Sequence, residues 1–170
     1  EVVKEQLLAI KDNNFEIVTG QTVTEFCGDS DGVLSVETNN GNVYDADLVV
    51  IAAGVKPNIE LAVDADIKIG ITGAIKVNKR METSIPDVYA CGDCCEENQI
   101  ITNTPVWMPL GSNANKEGRC AAINACGGFE EFHGVLSSAV TRCMRLTISM
   151  TGLTRKEAEK VGYETISALV

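Results

Sequence analysis

Residues 48–53 read Leu-Val-Val-Ile-Ala-Ala, with no polar side chain, and end in Gly54. A short continuous apolar run closed by glycine has the pattern of a strand covered on both faces, as in a parallel sheet. Four β-rich runs precede it, at residues 15–18, 21–26, 33–38 and 42–45. Asn40-Gly41 between the last two suits a hairpin turn that needs φ > 0, so these runs predict an antiparallel meander. Meander and buried strand together indicate an α/β fold with a β insertion. At the start, Val3, Leu7 and Ile10 form one apolar stripe, which predicts a short helix over residues 1–13.

Further along, a short helix is expected after Pro57 through Leu61, a turn at 70–73, and short strands at 74–77 and 88–91. Helical periodicity returns over 112–126. There Ala114, Gly118, Ala122 and Cys126 recur every fourth position, predicting a face that another backbone or a ligand can approach closely. Gly127-Gly128 should close that helix, and 135–149 is β-branched enough for one or two strands. The last helix is marked by a Thr154/Glu157 capping box, a Leu153/Ala158 staple and Gly162 as the stop.

Composition narrows the function. With 45% hydrophobic and 22% charged residues the chain is globular rather than disordered. The 14 Lys+Arg and 24 Asp+Glu give a formal charge of −10, which repels phosphate backbones and anionic lipid, so neither nucleic acid nor membrane is an expected partner. No apolar stretch approaches the ~18 residues of a bilayer span, and no basic-then-apolar leader opens the chain. Seven irregularly spaced cysteines fit reduced thiols better than a disulfide framework, and the expected location is cytoplasmic. The first residue is Glu rather than Met, so processing or a chosen boundary is expected to have removed what preceded it.

Three places can carry chemistry. Asp93, just past the expected 88–91 strand, either accepts hydrogen bonds from ligand hydroxyls in the sheet's crevice or caps its own turn. Pro109-Leu110-Gly111-Ser112-Asn113 opens the small-residue helix, where free N–H groups and the dipole favour negative charge on a ligand; Ser112 or Asn113 can equally cap it. Cys91-x-x-Cys94-Cys95 has the spacing of a metal clamp, a redox dithiol, or simply buried thiols. His133, the single histidine, reads as a loop residue rather than a ligand or base. G-x-G-x-x-G, a Walker loop and G-x-S-x-G do not occur.

The ordered segments at 45–58, 73–78 and 83–93, followed by Pro109–Arg119 and Thr151-Gly152-Leu153-Thr154, resemble the pyridine nucleotide-disulfide oxidoreductases. The nearest likeness is to the branch of NADH oxidase, NADH peroxidase and coenzyme A-disulfide reductase. The resemblance implies a fragment: a partial Rossmann-like FAD/NAD(P)-binding α/β fold with an antiparallel β-meander, plus the start of an α+β interface domain. Residues 1–55 would be the end of the NAD(P)H-binding domain, 56–127 the closing segment of the FAD-binding domain, and 128–170 the beginning of the dimer-interface domain.

The cofactors so implied are FAD and NAD(P)H, both belonging to a parent protein; the isolated fragment is expected to bind neither unaided and to be inactive. By resemblance Asp93 with Gly92 holds the FAD ribityl and pyrophosphate region. Leu110, Gly111 and Ser112 face the flavin pyrimidine edge, Pro109 lies where nicotinamide passes, and Gly54 ends the NAD-half strand. The catalytic cysteine and both glycine fingerprints would precede Glu1, and no metal site is implied. The parent would pass electrons from NAD(P)H through flavin to a small-molecule disulfide, peroxide or oxygen, as a homodimer. Two other classes stand beside this: a non-catalytic interaction module derived from the fold, and a metal or thiol-redox module on Cys91, Cys94 and Cys95.

Overall fold

The computed structural model describes residues 16–143 and 146–168, and the helix expected at 1–13 lies outside them. Backbone contacts divide the chain into two compact units, Glu1–Gly54 and Val55–Val170.

In the first unit, strands β1 (Val23–Asp29), β2 (Gly32–Thr38) and β3 (Val43–Asp45) form an antiparallel sheet in the order β1-β2-β3. This is the predicted meander. Its first turn is set by Asp29, whose carboxylate accepts the Asp31 N–H at 2.9 Å. Its second is set by Gly41, at φ +77°, whose N–H donates to the Thr38 carbonyl. Gln21 Oε1 accepts from both Thr38 Oγ1 and Tyr44 OH, tying the incoming chain to β2 and β3. Residues 16–18 form no strand.

The apolar run at 48–53 departs from expectation. It joins no ladder among the described residues, and Leu48, Val50 and Ile51 are 79%, 79% and 72% exposed. A parallel strand takes its hydrogen bonds from neighbours, and among the described residues none pairs with it.

The second unit holds helices α1 (Glu60–Asp64), α2 (Gly111–Ala125) and α3 (Arg155–Lys160), and the antiparallel pairs β4 (Glu97–Gln99) with β5 (Thr104–Val106) and β6 (Ala139–Cys143) with β7 (Leu146–Met150). The strands expected at 74–77 and 88–91 shrink to isolated bridges, Ile75 to Ile69 and Cys95, and Tyr89 to Glu82. Each segment is pinned at one residue between turns, too briefly for a ladder. Two small cores result. Ala62, Ile75 and Cys95 form one; Met81, Cys120 and Ala121 form the other, and Val77 packs against both.

Helix α2 ends as predicted. Gly127, at φ +81°, donates to Asn124 O and Gly128 to Ile123 O, the paired bonds of a Schellman stop. Helix α3 repeats the device at Gly162 and Tyr163, and its capping box closes with Thr154 N–H donating to Glu157 and Glu157 N–H to Thr154 Oγ1. The small-residue stripe of α2 is corrected: Ala122 and Cys126 are exposed, and the face turned inward carries Glu117, Cys120, Ala121 and Asn124. Ala114 of the stripe meets another segment closely, at Gly92, and nothing lies within 4 Å of a Cβ position at Gly118.

Candidate functional site

The Gly92-Asp93 turn is fastened to α2. Gly92 stands at φ +84°, and a Cβ there would lie 3.5 Å from the Ala114 methyl. Its N–H donates to Glu117 Oε2 at 2.7 Å, one helical turn beyond Ala114. Trp107 Nε1 donates to the Asp93 carbonyl at 2.8 Å, so the backbone of the turn is held from two sides while the residue itself stays exposed.

Behind the turn lies a carboxyl pair that sequence reasoning missed. Glu117 is completely buried and Glu97 is 7% exposed. Glu97 accepts the Met108 N–H at 2.9 Å and Asn113 Nδ2 at 3.5 Å. Among the described residues no hydrogen-bond partner reaches Glu117 Oε1, and the neighbouring buried acid is Glu97, whose interaction with Glu117 favours the protonated form of Glu97. Burial first, and the interaction with Glu117 second, push Glu97 up to about 8. Glu97 and Asn113 thereby connect β4 to the first turn of α2. The signal available in sequence was slight: Glu117 sits three residues after Ala114, on the face that approaches Gly92.

The start of α2 has no side-chain cap at Leu110 and no acidic residue in its first turn. Asn113 instead uses Nδ2 on Glu97 and the Met108 carbonyl. Leu110, Gly111 and Ser112 line a cavity of about 330 Å³ with Ser138, Ala139, Val140 and Met150. None of these side chains is acidic, so the positive end of the helix faces a space compatible with an anionic edge. A flavin fits these residues: an uncapped helix N-terminus, an open cavity, and an exposed carboxylate on a clamped turn. Of the expected site residues, Gly92, Asp93, Pro109, Leu110, Gly111 and Ser112 are thus carried on segments joined through Ala114, Glu117 and Glu97. Gly54 belongs to the first unit, where φ is +99° and no atom lies within 4 Å of a Cβ position.

The thiols do not converge as a metal clamp. Among the described residues the donor atoms that gather within 4.8 Å are those of Glu25, Cys27 and Glu37 in the meander. Cys95 is core, Cys94 is half-buried and Cys91 is exposed. His133 is an exposed loop residue whose Nδ1 lies 3.9 Å from Glu131.

A meander of short antiparallel strands, together with a unit built around a clamped Gly-Asp turn and a helix start, defines a partial α/β fold of the nucleotide-binding type. The chain belongs to the pyridine nucleotide-disulphide oxidoreductase family, whose profile matches residues 2–118. It is 48% identical over 131 residues to the NAD(P)H sulfur oxidoreductase (CoA-dependent) of Pyrococcus furiosus, covering 77% of this chain and 30% of that protein. An NADH oxidase of Streptococcus pyogenes is 37% identical over 91% of the chain and 33% of its own length. Among solved structures, a NAD-dependent persulfide reductase from A. fulgidus superposes with a TM-score of 0.85 at 37% identity, over 96% of this chain and 30% of that one. The chain thus spans about a third of the length of these relatives. Among the described residues no helix is long and apolar enough to cross a membrane.

Proposed function

We propose that this chain is the flavin-facing part of an FAD-dependent NAD(P)H oxidoreductase that acts in the cytoplasm as a homodimer on a small disulfide, peroxide or oxygen. In it, residues 1–55 close the NAD(P)H-binding domain, 56–127 close the FAD-binding domain, and 128–170 begin the interface domain. The reading rests chiefly on the Gly92-Asp93 turn, locked by Glu117 onto the same helix whose uncapped N-terminus opens on the 330 Å³ cavity.

FAD, when bound, supplies the two-electron relay between the nicotinamide and the acceptor. The chain's own residues bind and orient. The Asp93 carboxylate accepts hydrogen bonds from ribityl hydroxyls, and its backbone stays fixed because Trp107 and Glu117 hold the turn. The N–H groups of Gly111 and Ser112 stabilise negative charge at the pyrimidine edge without reorganising, since they are already aligned by the helix. Pro109 borders the nicotinamide path, Leu110 faces the pyrimidine edge beside Gly111 and Ser112, and Gly54 ends the NAD-half strand. The three thiols hold no step in this scheme.

The test is flavin affinity in the full-length protein. Losing a charged acceptor costs about 1.5–3 kcal/mol, so Asp93→Ala should weaken FAD binding roughly 10- to 150-fold. An unchanged Kd would remove Asp93 from the site.

A further inference from the structure

We propose that Glu117 is a positioning residue for FAD: its carboxylate never touches the cofactor but fixes, through the Gly92 N–H, where Asp93 stands relative to the start of α2. The proposal rests on the flavin reading above and names the residue that joins its two segments.

An exposed side chain such as Asp93 is placed by its backbone, and each peptide plane around this one is held. Glu117 Oε2 accepts the Gly92 N–H at 2.7 Å and orients the plane before Gly92. The Gly92 carbonyl accepts the Cys95 N–H at 2.9 Å, which orients the plane between Gly92 and Asp93. The Asp93 carbonyl accepts from Trp107 Nε1 at 2.8 Å, which orients the plane beyond it. With two soft torsions per residue, three held planes restrain φ and ψ of both Gly92 and Asp93. Of these three tethers, Cys95 belongs to the turn itself and Trp107 to the segment before α2, so Glu117 is the one carried by the helix.

That origin gives the bond its consequence. Gly111 and Glu117 stand on one element, about 9 Å apart along its axis at ~1.5 Å per residue. Gly92, at φ +84° and without a Cβ to press on the Ala114 methyl, lets the turn come close to that helix. The Glu117 bond then transfers the position of the helix start to the turn. The N–H groups that meet negative charge and the carboxylate that meets hydroxyls keep one spacing.

Stability alone is a poor reason for an acid at this place. Glu117 is completely buried, and among the described residues no hydrogen-bond partner reaches Oε1. A buried carboxylate with an oxygen left unpartnered is costly, and an apolar side chain of similar volume packs at less cost. What the carboxylate supplies and leucine cannot is the acceptor for Gly92.

The test is a double-mutant cycle in the full-length protein, with the FAD affinity of the apoprotein as readout. Glu117→Leu removes the acceptor at similar volume and should weaken FAD binding roughly tenfold or more. Glu117→Gln still accepts the Gly92 N–H and should stay within about twofold of native. Added to Asp93→Ala, Glu117→Leu should worsen binding by no more than about twofold, since the turn no longer carries the group it positions. Glu117→Met, unbranched and adaptable in a core, replaces the leucine variant if that one does not fold. An unchanged Kd in Glu117→Leu, a loss in Glu117→Gln as large as in Glu117→Leu, or losses that multiply in the double variant would each overturn the proposal while leaving the flavin reading in place. An unchanged Kd in Asp93→Ala alone would remove the role of Asp93 itself, and this proposal with it.

Discussion

Replacing Glu117 with Gln tests the buried acid pair directly. In the native chain Glu97 titrates near 8 instead of its ordinary 4.5. Between those values the folded state keeps a proton that the unfolded chain has released. The stabilisation is complete below pH 4.5, declines as pH rises through the window, and is gone above about 8, at ~1.4 kcal/mol per pH unit. From pH 5 to 7.5 that is about 3 kcal/mol, or roughly 6–12 °C in Tm for a chain of this size. In Glu117→Gln the amide oxygen still accepts the Gly92 N–H, while the amide nitrogen donates to Glu97 and satisfies it as an anion. The variant should keep the part of the slope that burial causes, lose the part owed to Glu117, and melt above the native chain at pH 7.5. Trp107 is the single tryptophan and donates to the Asp93 carbonyl, so its fluorescence follows the clamped turn itself. Parallel pH dependences of Tm for native chain and variant would refute the coupling of Glu97 to Glu117.

Two further changes probe what fixes the same unit. Asn124 is 3% exposed; its Nδ2 donates to Arg80 O, Cys120 O and Glu130 O, and its Oδ1 accepts the Glu130 N–H. Asn124→Ala removes the bonds that tie α2 to Arg80 O and to the Glu130 backbone and should cost about 3 kcal/mol, measured by urea unfolding; a loss below ~1 kcal/mol would show that water replaces the side chain. At Gly70 an added Cβ would overlap the Glu96 carboxyl group, which Thr72 holds through Oγ1 and N–H. Gly70→Ala should therefore destabilise by about 1–3 kcal/mol, and Gly70→Ala combined with Glu96→Ala should recover much of that difference relative to Glu96→Ala alone.

Local signals in this chain act over a few residues, and those were legible. Asn40-Gly41 as a hairpin turn, Thr154 with Glu157 as a capping box, and Gly127 and Gly162 as helix stops each depend on φ or on a side chain reaching its own backbone. The sequence motifs singled out the Gly92-Asp93 turn and the start of α2, and the structure joins these two segments through Ala114 and Glu117. The strand expected at 48–53 was misread because a continuous apolar run reports only a need for cover and for neighbours, and both must come from elsewhere in space. The strands at 74–77 and 88–91 failed for a related reason, since ladder length is set by the partner segment. The tertiary structure alone decided that Glu117 faces Gly92 and Glu97, and that Cys95 enters the core while Cys91 stays outside. Those outcomes follow from contacts between residues far apart in the chain: Ala114 with Gly92 and Asn124 with Arg80 set α2 against the turn, and Ala62 and Ile75 enclose Cys95.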